Sequence, residues 1–315
     1  MRCGPQYASI SVWRRSGKPL SRRGPAVAMW MITRRLLGLS LLLGVGANAQ
    51  ESVEQPIHWA YGAYFGTGRY EIDSGEAINV LSIQPRWQVR EASFDRETGR
   101  TIGFAARISL AIGGHHFDVA DIGSTLRTEN VSTVSAVPGI ELDIPLTARW
   151  SVKPFVYAGW GTAVGGEDSA WIYWAGLKSE VRFPSRTIDW ALVNALTVVG
   201  YASDAGARDE VVPFFTGLEI GHPVSAWTID DEAVHLHWRV GYTKYIDELE
   251  LGPVRSGLAT AQIRDEWEIG VALGKERESL KLWRLRWDRI GIVYRFSRED
   301  GYTGVGLTFR SFFDQ

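Results

Sequence analysis

The sequence has 315 residues and a formal net charge of −2. Residues 1–49 hold eight basic and no acidic residues, so residues 50–315 hold 26 basic and 36 acidic residues and carry a charge of about −10. This acidic balance argues against a nucleic-acid partner, because phosphate binding needs a basic surface. The only cysteine is Cys3, which excludes a disulfide, a thiolate metal site and a cysteine nucleophile within residues 50–315.

The basic leader has the three parts of a secretory signal. From Met31 the chain has two arginines, an apolar run from Leu36 to Gly46, and the sequence Ala47-Asn48-Ala49. The run is about eleven residues, whereas a membrane-spanning helix needs roughly twenty. We expect Sec export and cleavage after Ala49, with a retained anchor as the alternative and with residues 1–28 as an extension upstream of the true start.

Beyond residue 49, alternation of apolar with small or polar residues predicts membrane-crossing strands. Residues 101–113 place Ile102 and Leu110 on one face and Arg107 on the other, and residues 233–245 place Leu236 opposite His237. Twelve such segments are predicted: 57–65, 77–89, 101–113, 130–142, 148–160, 170–182, 188–200, 211–220, 233–245, 260–273, 280–296 and 302–313. They predict an all-β fold, a single antiparallel transmembrane β-barrel over residues 50–315 with about 12 strands (10–14 are compatible).

Tryptophans near the strand ends indicate which face meets lipid. On the apolar face these are Trp87, Trp150, Trp160, Trp171, Trp283 and Trp287. An indole at a membrane interface buries its ring and keeps its N–H hydrated, as in the aromatic girdles of membrane barrels. The alternative is a soluble periplasmic β-barrel with an aromatic core.

The opposite face carries charges of both signs. We expect a lumen-facing polar cluster of Arg107, His235, His237, Arg239, Arg264, Glu266 and Glu268. An unpaired buried ion costs several kcal/mol, so Arg239 is expected to pair with Glu266 and Glu268 and to narrow the lumen. Little general porin activity is therefore expected.

The last predicted strand, from Tyr302 to Phe313, is amphipathic and ends in two aromatic residues. It resembles the signal by which the barrel-assembly machinery recognises outer-membrane proteins. Ser311 stands at an expected apolar position, and Asp314-Gln315 follow the aromatic pair, so the ending departs from that pattern at two places.

In length, strand number and ending, residues 50–315 resemble a solitary, passenger-less autotransporter-type barrel, with only Gln50–Gln55 before the first predicted strand. The resemblance implies the outer membrane of a Gram-negative bacterium, with lipid and lipopolysaccharide as partners and a structural, adhesive or limited permeation role.

An outer-membrane barrel hydrolase acting on lipid or lipopolysaccharide is the alternative function. Outer-membrane phospholipases are similar in length and carry His and Ser two apart on a strand, but none of the six histidines here has Ser at that spacing. His235 and His237 share a face without a nearby carboxylate or Cys in the pattern, so no metal site is predicted. No catalytic residue and no cofactor are predicted either.

Overall fold

The alternating segments form the strands of one antiparallel barrel. The computed structural model describes residues 65–315 except 73–76, 115–132, 165–167, 185–187, 205, 207, 230–231, 252–260, 276–279, 283–284, 288 and 299–300. The leader and all but the last residue of the predicted strand 57–65 lie outside these residues. The described part belongs to a compact unit that spans Glu51–Gln315.

Twelve barrel strands are present in the described residues, and they are numbered here in chain order. The first six are β1 Thr67–Ile72, β2 Ala77–Ile83 continued by Arg86–Arg90, β3 Gly103–Gly114, β4 Thr133–Pro145, β5 Trp150–Ala163 and β6 Ser169–Pro184. The second six are β7 Asp189–Ser203, β8 Arg208–Val211 continued by Pro213–Ile229, β9 Glu232–Leu251, β10 Ala261–Lys275, β11 Arg289–Phe296 and β12 Tyr302–Thr308.

Each strand pairs antiparallel with the strands before and after it in the chain. The circle closes because β12 pairs back onto β1, with Thr67 opposite Leu307 and Ile72 opposite Tyr302. No edge strand remains in this ring, so every ladder hydrogen bond can be made within it. The predicted all-β class, the antiparallel barrel and its twelve strands are confirmed.

Two of the strands are interrupted at a proline. Pro85 divides β2 and Pro213 begins the longer part of β8. Proline has no N–H to donate to a ladder, so a strand bends or breaks where it occurs. The carbonyl of Pro85 still accepts a hydrogen bond of 3.1 Å from the N–H of Ile108 on β3. Both halves of β2 therefore remain paired with the same neighbouring strand, β3.

The apolar alternation of the predicted strand 280–296 changes phase between Trp287 and Ile290, and a small hairpin explains this change. Leu280–Leu282 pairs with Leu285–Trp287 as a separate two-stranded sheet, and β11 starts only at Arg289. A similar hairpin, Ser93–Asp95 with Gly99–Thr101, fills the predicted connection between β2 and β3.

The two ends of the predicted strand set need correction. The first described barrel strand begins at Thr67, where a connection was predicted. The last strand was predicted to run to residue 313, but it ends at Thr308. The Phe309 carbonyl still accepts the N–H of Arg289 on β11 at 3.3 Å, and the residues after Phe309 turn away from the ladder and find partners inside the barrel.

No helix among the described residues is long and apolar enough to span a membrane.

Candidate functional site

The outer surface of β5 is an uninterrupted apolar strip. Trp150, Val152, Pro154, Val156, Ala158 and Trp160 alternate with inward residues, and Trp150, Val156 and Trp160 are 43%, 48% and 61% exposed. Ten steps of about 3.3 Å from Trp150 to Trp160, tilted by about 40° to the barrel axis, rise roughly 25 Å along that axis. That is the height of the apolar band of an outer-membrane barrel, roughly 25 Å.

Tryptophans mark both borders of this strip. Trp160 and Trp171 are opposite each other on β5 and β6, with ring centroids 4.1 Å apart. At the other end, the indole N–H of Trp150 donates to Ser179 Oγ at 2.9 Å, and Trp190 is exposed at the start of β7. Trp87 is exposed on β2, whereas the side chains of Trp283 and Trp287 lie outside the described part. These positions form two aromatic belts that flank an apolar band.

Six of the seven residues expected in the lumen are buried inside the ring. Their exposures are 3% for Arg107, 6% for His235, 7% for His237, 1% for Arg239, 5% for Glu266 and 4% for Glu268. The seventh residue, Arg264, does not join them. Its side chain is 56% exposed and pairs with Glu248.

A register shift accounts for the position of Arg264. The β9–β10 ladder slips between Lys244 and Leu249, and Ile263 turns inward with no exposure. Because neighbouring side chains on a strand point to opposite faces, Arg264 then points outward. If the alternation of β10 continued without the bulge, Arg264 would lie on the inward face, which is why the sequence pattern predicted it in the lumen.

One buried ion network joins β9, β10 and β11. Arg239 pairs with Glu268 at 2.8 Å, as the sequence pattern favours, and Arg295 contacts Glu268 at 2.7 Å and Glu266 at 3.8 Å. Arg295 was missed by the sequence analysis. Its signal was present, since Ile292 and Tyr294 are exposed on the outer face while Arg295 is 5% exposed, but the phase change in segment 280–296 hid it.

A second network lies across the lumen around Glu141 on β4. Its carboxylate contacts Arg86 at 2.8 Å and Arg107 at 2.9 Å and accepts a hydrogen bond from the Tyr157 hydroxyl. Glu141 was also missed from sequence. The cue was its place on the inward face of β4, opposite the exposed Ile140 and Leu142.

The two histidines lie toward one end of the lumen. The rings of His235 and His237 are 6.0 Å apart, and His237 borders a cavity of about 430 Å³ together with Glu219 and Arg289. Within the described residues, no group of three or more His, Cys, Asp or Glu side chains could hold a metal ion. Both histidines are buried in the wall of the lumen, and beside His237 the Arg289 guanidinium pairs with Glu219 at 3.1 Å.

The residues after β12 fold into the barrel. We call Phe309–Gln315 the lumenal segment. Its turn is closed by the N–H of Asp314, which donates to the carbonyl and hydroxyl oxygens of Ser311 at 3.2 Å. Phe312 and Phe313 are only 4% and 3% exposed. The segment therefore sits inside the molecule rather than along its surface.

Hydrogen bonds from all around the ring hold the lumenal segment. Its partners are Gln84 at the break in β2, Arg107 on β3, Lys153 on β5, Lys178 on β6, Glu219 on β8 and Arg239 on β9. Seven consecutive residues can contact strands spread from β2 to β9 only by crossing the interior that those strands enclose.

The Phe312 ring occupies a recess whose floor is two glycines. Gly217 and Gly241 face each other on β8 and β9, and a Cβ on Gly217 would lie 2.8 Å from the Phe312 ring. The Arg239 guanidinium lies 3.8 Å from the ring centroid, and the Phe215 ring is 4.8 Å away. The recess thus combines steric room with a cation on an aromatic face.

The Asp314 carboxylate is the segment's anionic group. It pairs with the Lys153 ammonium, and the Arg86 guanidinium lies 3.9 Å from it. Burial by itself raises the pKa of the Asp314 carboxyl, but Lys153 and Arg86 outweigh burial and hold that pKa well below its usual range.

The lumenal segment forms one wall of a second cavity, of about 180 Å³. Phe312 and Gln315 border it, together with Arg107, Lys178 and Glu268. The cavity of about 430 Å³ around His237 is bordered by strand residues and by Ala148 and Arg149 of the β4–β5 turn. Charged side chains and the segment therefore occupy much of the interior, and two cavities remain among them.

No protein-family model matches the sequence, and no curated protein matches it. Among solved structures, the transport unit of the autotransporter AIDA-I from Escherichia coli is similar over 89% of this chain and 97% of its own, at 14% identity and a TM-score of 0.43. The translocator domain of the autotransporter NalP from Neisseria meningitidis is similar over 91% of this chain and 96% of its own, at 12% identity and a TM-score of 0.44. Both structures come from autotransporters.

Proposed function

We propose that this chain is an integral outer-membrane barrel of autotransporter-like type whose lumen is closed to general solute passage. The observation that carries this proposal is the apolar strip on β5 between Trp150 and Trp160, which has the height of an outer-membrane hydrocarbon layer. A soluble barrel would leave this strip in water, where an apolar patch of that size favours association.

The filled interior supports a structural or adhesive role with limited permeation. Twelve strands enclose a space between that of the filled eight-stranded barrel and that of the open porin. Here that space holds the networks around Glu141 and Glu268 and the lumenal segment. A solute crossing the barrel would have to displace paired buried charges, and breaking such pairs is costly.

Export by the leader and passage through the barrel-assembly machinery belong to this proposal. Cleavage after Ala49 would deliver a chain that starts at Gln50 to the periplasm. Outer-membrane lipid and lipopolysaccharide would then contact the apolar band. N-terminal sequencing of the protein purified from outer membranes should read Gln50 first, and a retained Met29 or Met31 would contradict cleavage.

Fractionation and lipid contact test the membrane assignment. The protein should sediment with outer membranes and resist carbonate extraction. A cysteine at Val156 on the outer face should be protected from a water-soluble thiol reagent until detergent is added. A cysteine at Asp168, next to the β5–β6 connection, serves as the exposed control. Recovery in the soluble periplasmic fraction would favour the soluble barrel instead.

A further inference from the structure

The lumenal segment Phe309–Gln315 is bound by groups that the barrel wall directs toward it. Lys153 contacts both the Phe313 carbonyl, at 3.3 Å, and the Asp314 carboxylate, although its own side chain has no exposure. Lys178 donates to the Gln315 carbonyl. Two ammonium groups, of which that of Lys153 is fully buried, therefore meet acceptors on the segment, and without the segment those acceptors would be missing.

Arg239 links the segment to the wall at several points. Its guanidinium donates to the Arg310 carbonyl at 3.1 Å and to the Gln315 side-chain oxygen at 2.5 Å, and it covers the Phe312 ring. The same guanidinium pairs with Glu268 on the neighbouring strand. The segment thus supplies further hydrogen-bond acceptors to the Arg239 guanidinium, which already pairs with Glu268 of the wall.

The glycine recess is an independent sign of a built site. At Gly217 and Gly241, on adjacent strands and in register, any side chain would collide with the rings of Phe215 or Phe312. The barrel wall therefore lacks side chains at the two positions that the Phe312 ring of the segment contacts. The positive charges of the wall and the shape of the glycine recess are therefore both complementary to the lumenal segment.

We propose that the barrel lumen is a binding site for the lumenal segment and that the docked segment is a removable plug which closes the barrel. This inference rests on the proposed membrane location. The segment follows Thr308, and its first residue keeps one backbone bond to β11, from the Arg289 N–H to the Phe309 carbonyl at 3.3 Å. Beyond Phe309 its partners are hydrogen bonds, ion pairs and ring contacts with side chains or carbonyls of the wall. Residues 310–315 can therefore leave the lumen while β11 and β12 stay paired.

The first experiment weakens docking in the full chain. Lys153→Gln with Lys178→Gln removes two ammonium groups that bind the segment, and Lys244→Gln, an exposed charge on β9, is the matched control. Each lost charge-assisted bond should lower the ratio of docked to undocked segment about tenfold. Planar-bilayer recording should show larger and more frequent openings for the double variant than for the control.

A labelling assay measures the solvent accessibility of the segment directly. In a Cys3→Ser background, Ser311→Cys carries a thiol at a position that is 5% exposed. It should resist a membrane-impermeant thiol reagent in the otherwise unchanged chain and react in the Lys153→Gln, Lys178→Gln background. Unchanged labelling and unchanged conductance in a barrel that has inserted would overturn the plug.

A peptide add-back tests the binding site itself. A chain that stops after Thr308 should conduct, and the synthetic peptide Phe-Arg-Ser-Phe-Phe-Asp-Gln should block it, whereas a scrambled peptide should not. If the shortened chain does not assemble, the full-length double variant decides. Insertion is scored separately by flotation with liposomes: failure of the unchanged chain to insert contradicts the membrane proposal, whereas insertion without any effect of the docking variants contradicts only the plug.

Discussion

Leu236 and His237 are neighbours on β9 that meet opposite environments. His237 is 7% exposed inside the ring, beside the cavity of about 430 Å³, whereas Leu236 lies on the outer face and is partly exposed. This difference follows from the two-residue period of a strand. It makes adjacent positions respond differently to the same substitution.

Leu236→Arg should destabilise the folded barrel by about 1 kcal/mol, because Leu236 lies on the outer face near the end of the apolar band that Trp190 marks, where a guanidinium loses part of its hydration. His237→Arg is the matched control, since the cavity beside it gives room for the longer side chain. Urea unfolding from lipid vesicles measures both variants. Equal stability of the two would mean that the facing of β9 is assigned incorrectly.

Gly217 makes room for the ring of Phe312. Gly217→Ala would place a Cβ 2.8 Å from that ring and 2.6 Å from Phe215, and overpacking of this kind costs about 1–3 kcal/mol. The docked segment should therefore loosen, and trypsin should cut after Arg310, which is 8% exposed in the docked form. Phe312→Leu added to Gly217→Ala should restore part of the protection; cleavage that does not depend on the residue at 217 would contradict the recess.

At the scale of whole elements, the described strands are of two kinds: those that form the barrel ring, and those that form small separate hairpins. The hairpin Ser93–Asp95 with Gly99–Thr101 pairs only with itself among the described strands. Its turn is held by the Asp95 carboxylate, which accepts the N–H groups of Glu97 and Thr98 at 2.7 and 2.9 Å. These N–H groups also lower the pKa of the exposed Asp95 carboxyl.

Replacing Ser93–Thr101 by an Asn-Gly turn should leave the barrel intact. The hairpin adds no strand to the ring, and each doubling of loop length changes closure free energy by only about 0.6 kcal/mol. Heat-modifiable mobility on gels and the denaturation midpoint should both match those of the unchanged protein. Loss of the folded band would show that the hairpin guides the β2–β3 pairing.

At the scale of the whole molecule, the interior has two states, with the segment docked or undocked, and pH should shift the balance between them. The pKa of Asp314 is held below its usual range in the docked form. Docking free energy from this group is therefore fully present above the ordinary Asp pKa of about 3.9 and is lost as pH falls through the docked value.

We expect openings in planar bilayers to stay rare at neutral and mildly acidic pH and to become frequent only in strong acid, where the thiol assay cannot be used because a protonated thiol does not react. The charged groups that face Asp314 come from the strands packed around it and are Arg86, Arg107, Asp143, Lys153, Lys178, Glu180 and Arg182. Asp314→Asn should remove the acid-dependent step that belongs to this carboxyl and should raise labelling already at neutral pH. An acid step of unchanged size in Asp314→Asn would assign it to the strand carboxylates.

The sequence by itself determined the class of fold, the number of strands and the face on which most residues lie. It could do so because alternation is a local property: the inward position of Arg107 and Glu268 and the outward position of Leu110 follow from their neighbours along one strand. The pairing of Arg239 with Glu268 was also predictable, since the two residues lie on consecutive strands.

Only the tertiary structure decided what crosses the lumen. The slip between Lys244 and Leu249 moved Arg264 to the outside, and no local pattern sets the position of a bulge. The apolar spacing of Phe309–Gln315 fits an aromatic strand end equally well. Its turn into the barrel depends on Lys153, Lys178 and the Gly217 recess, which are distant in sequence and come together only when the ring closes.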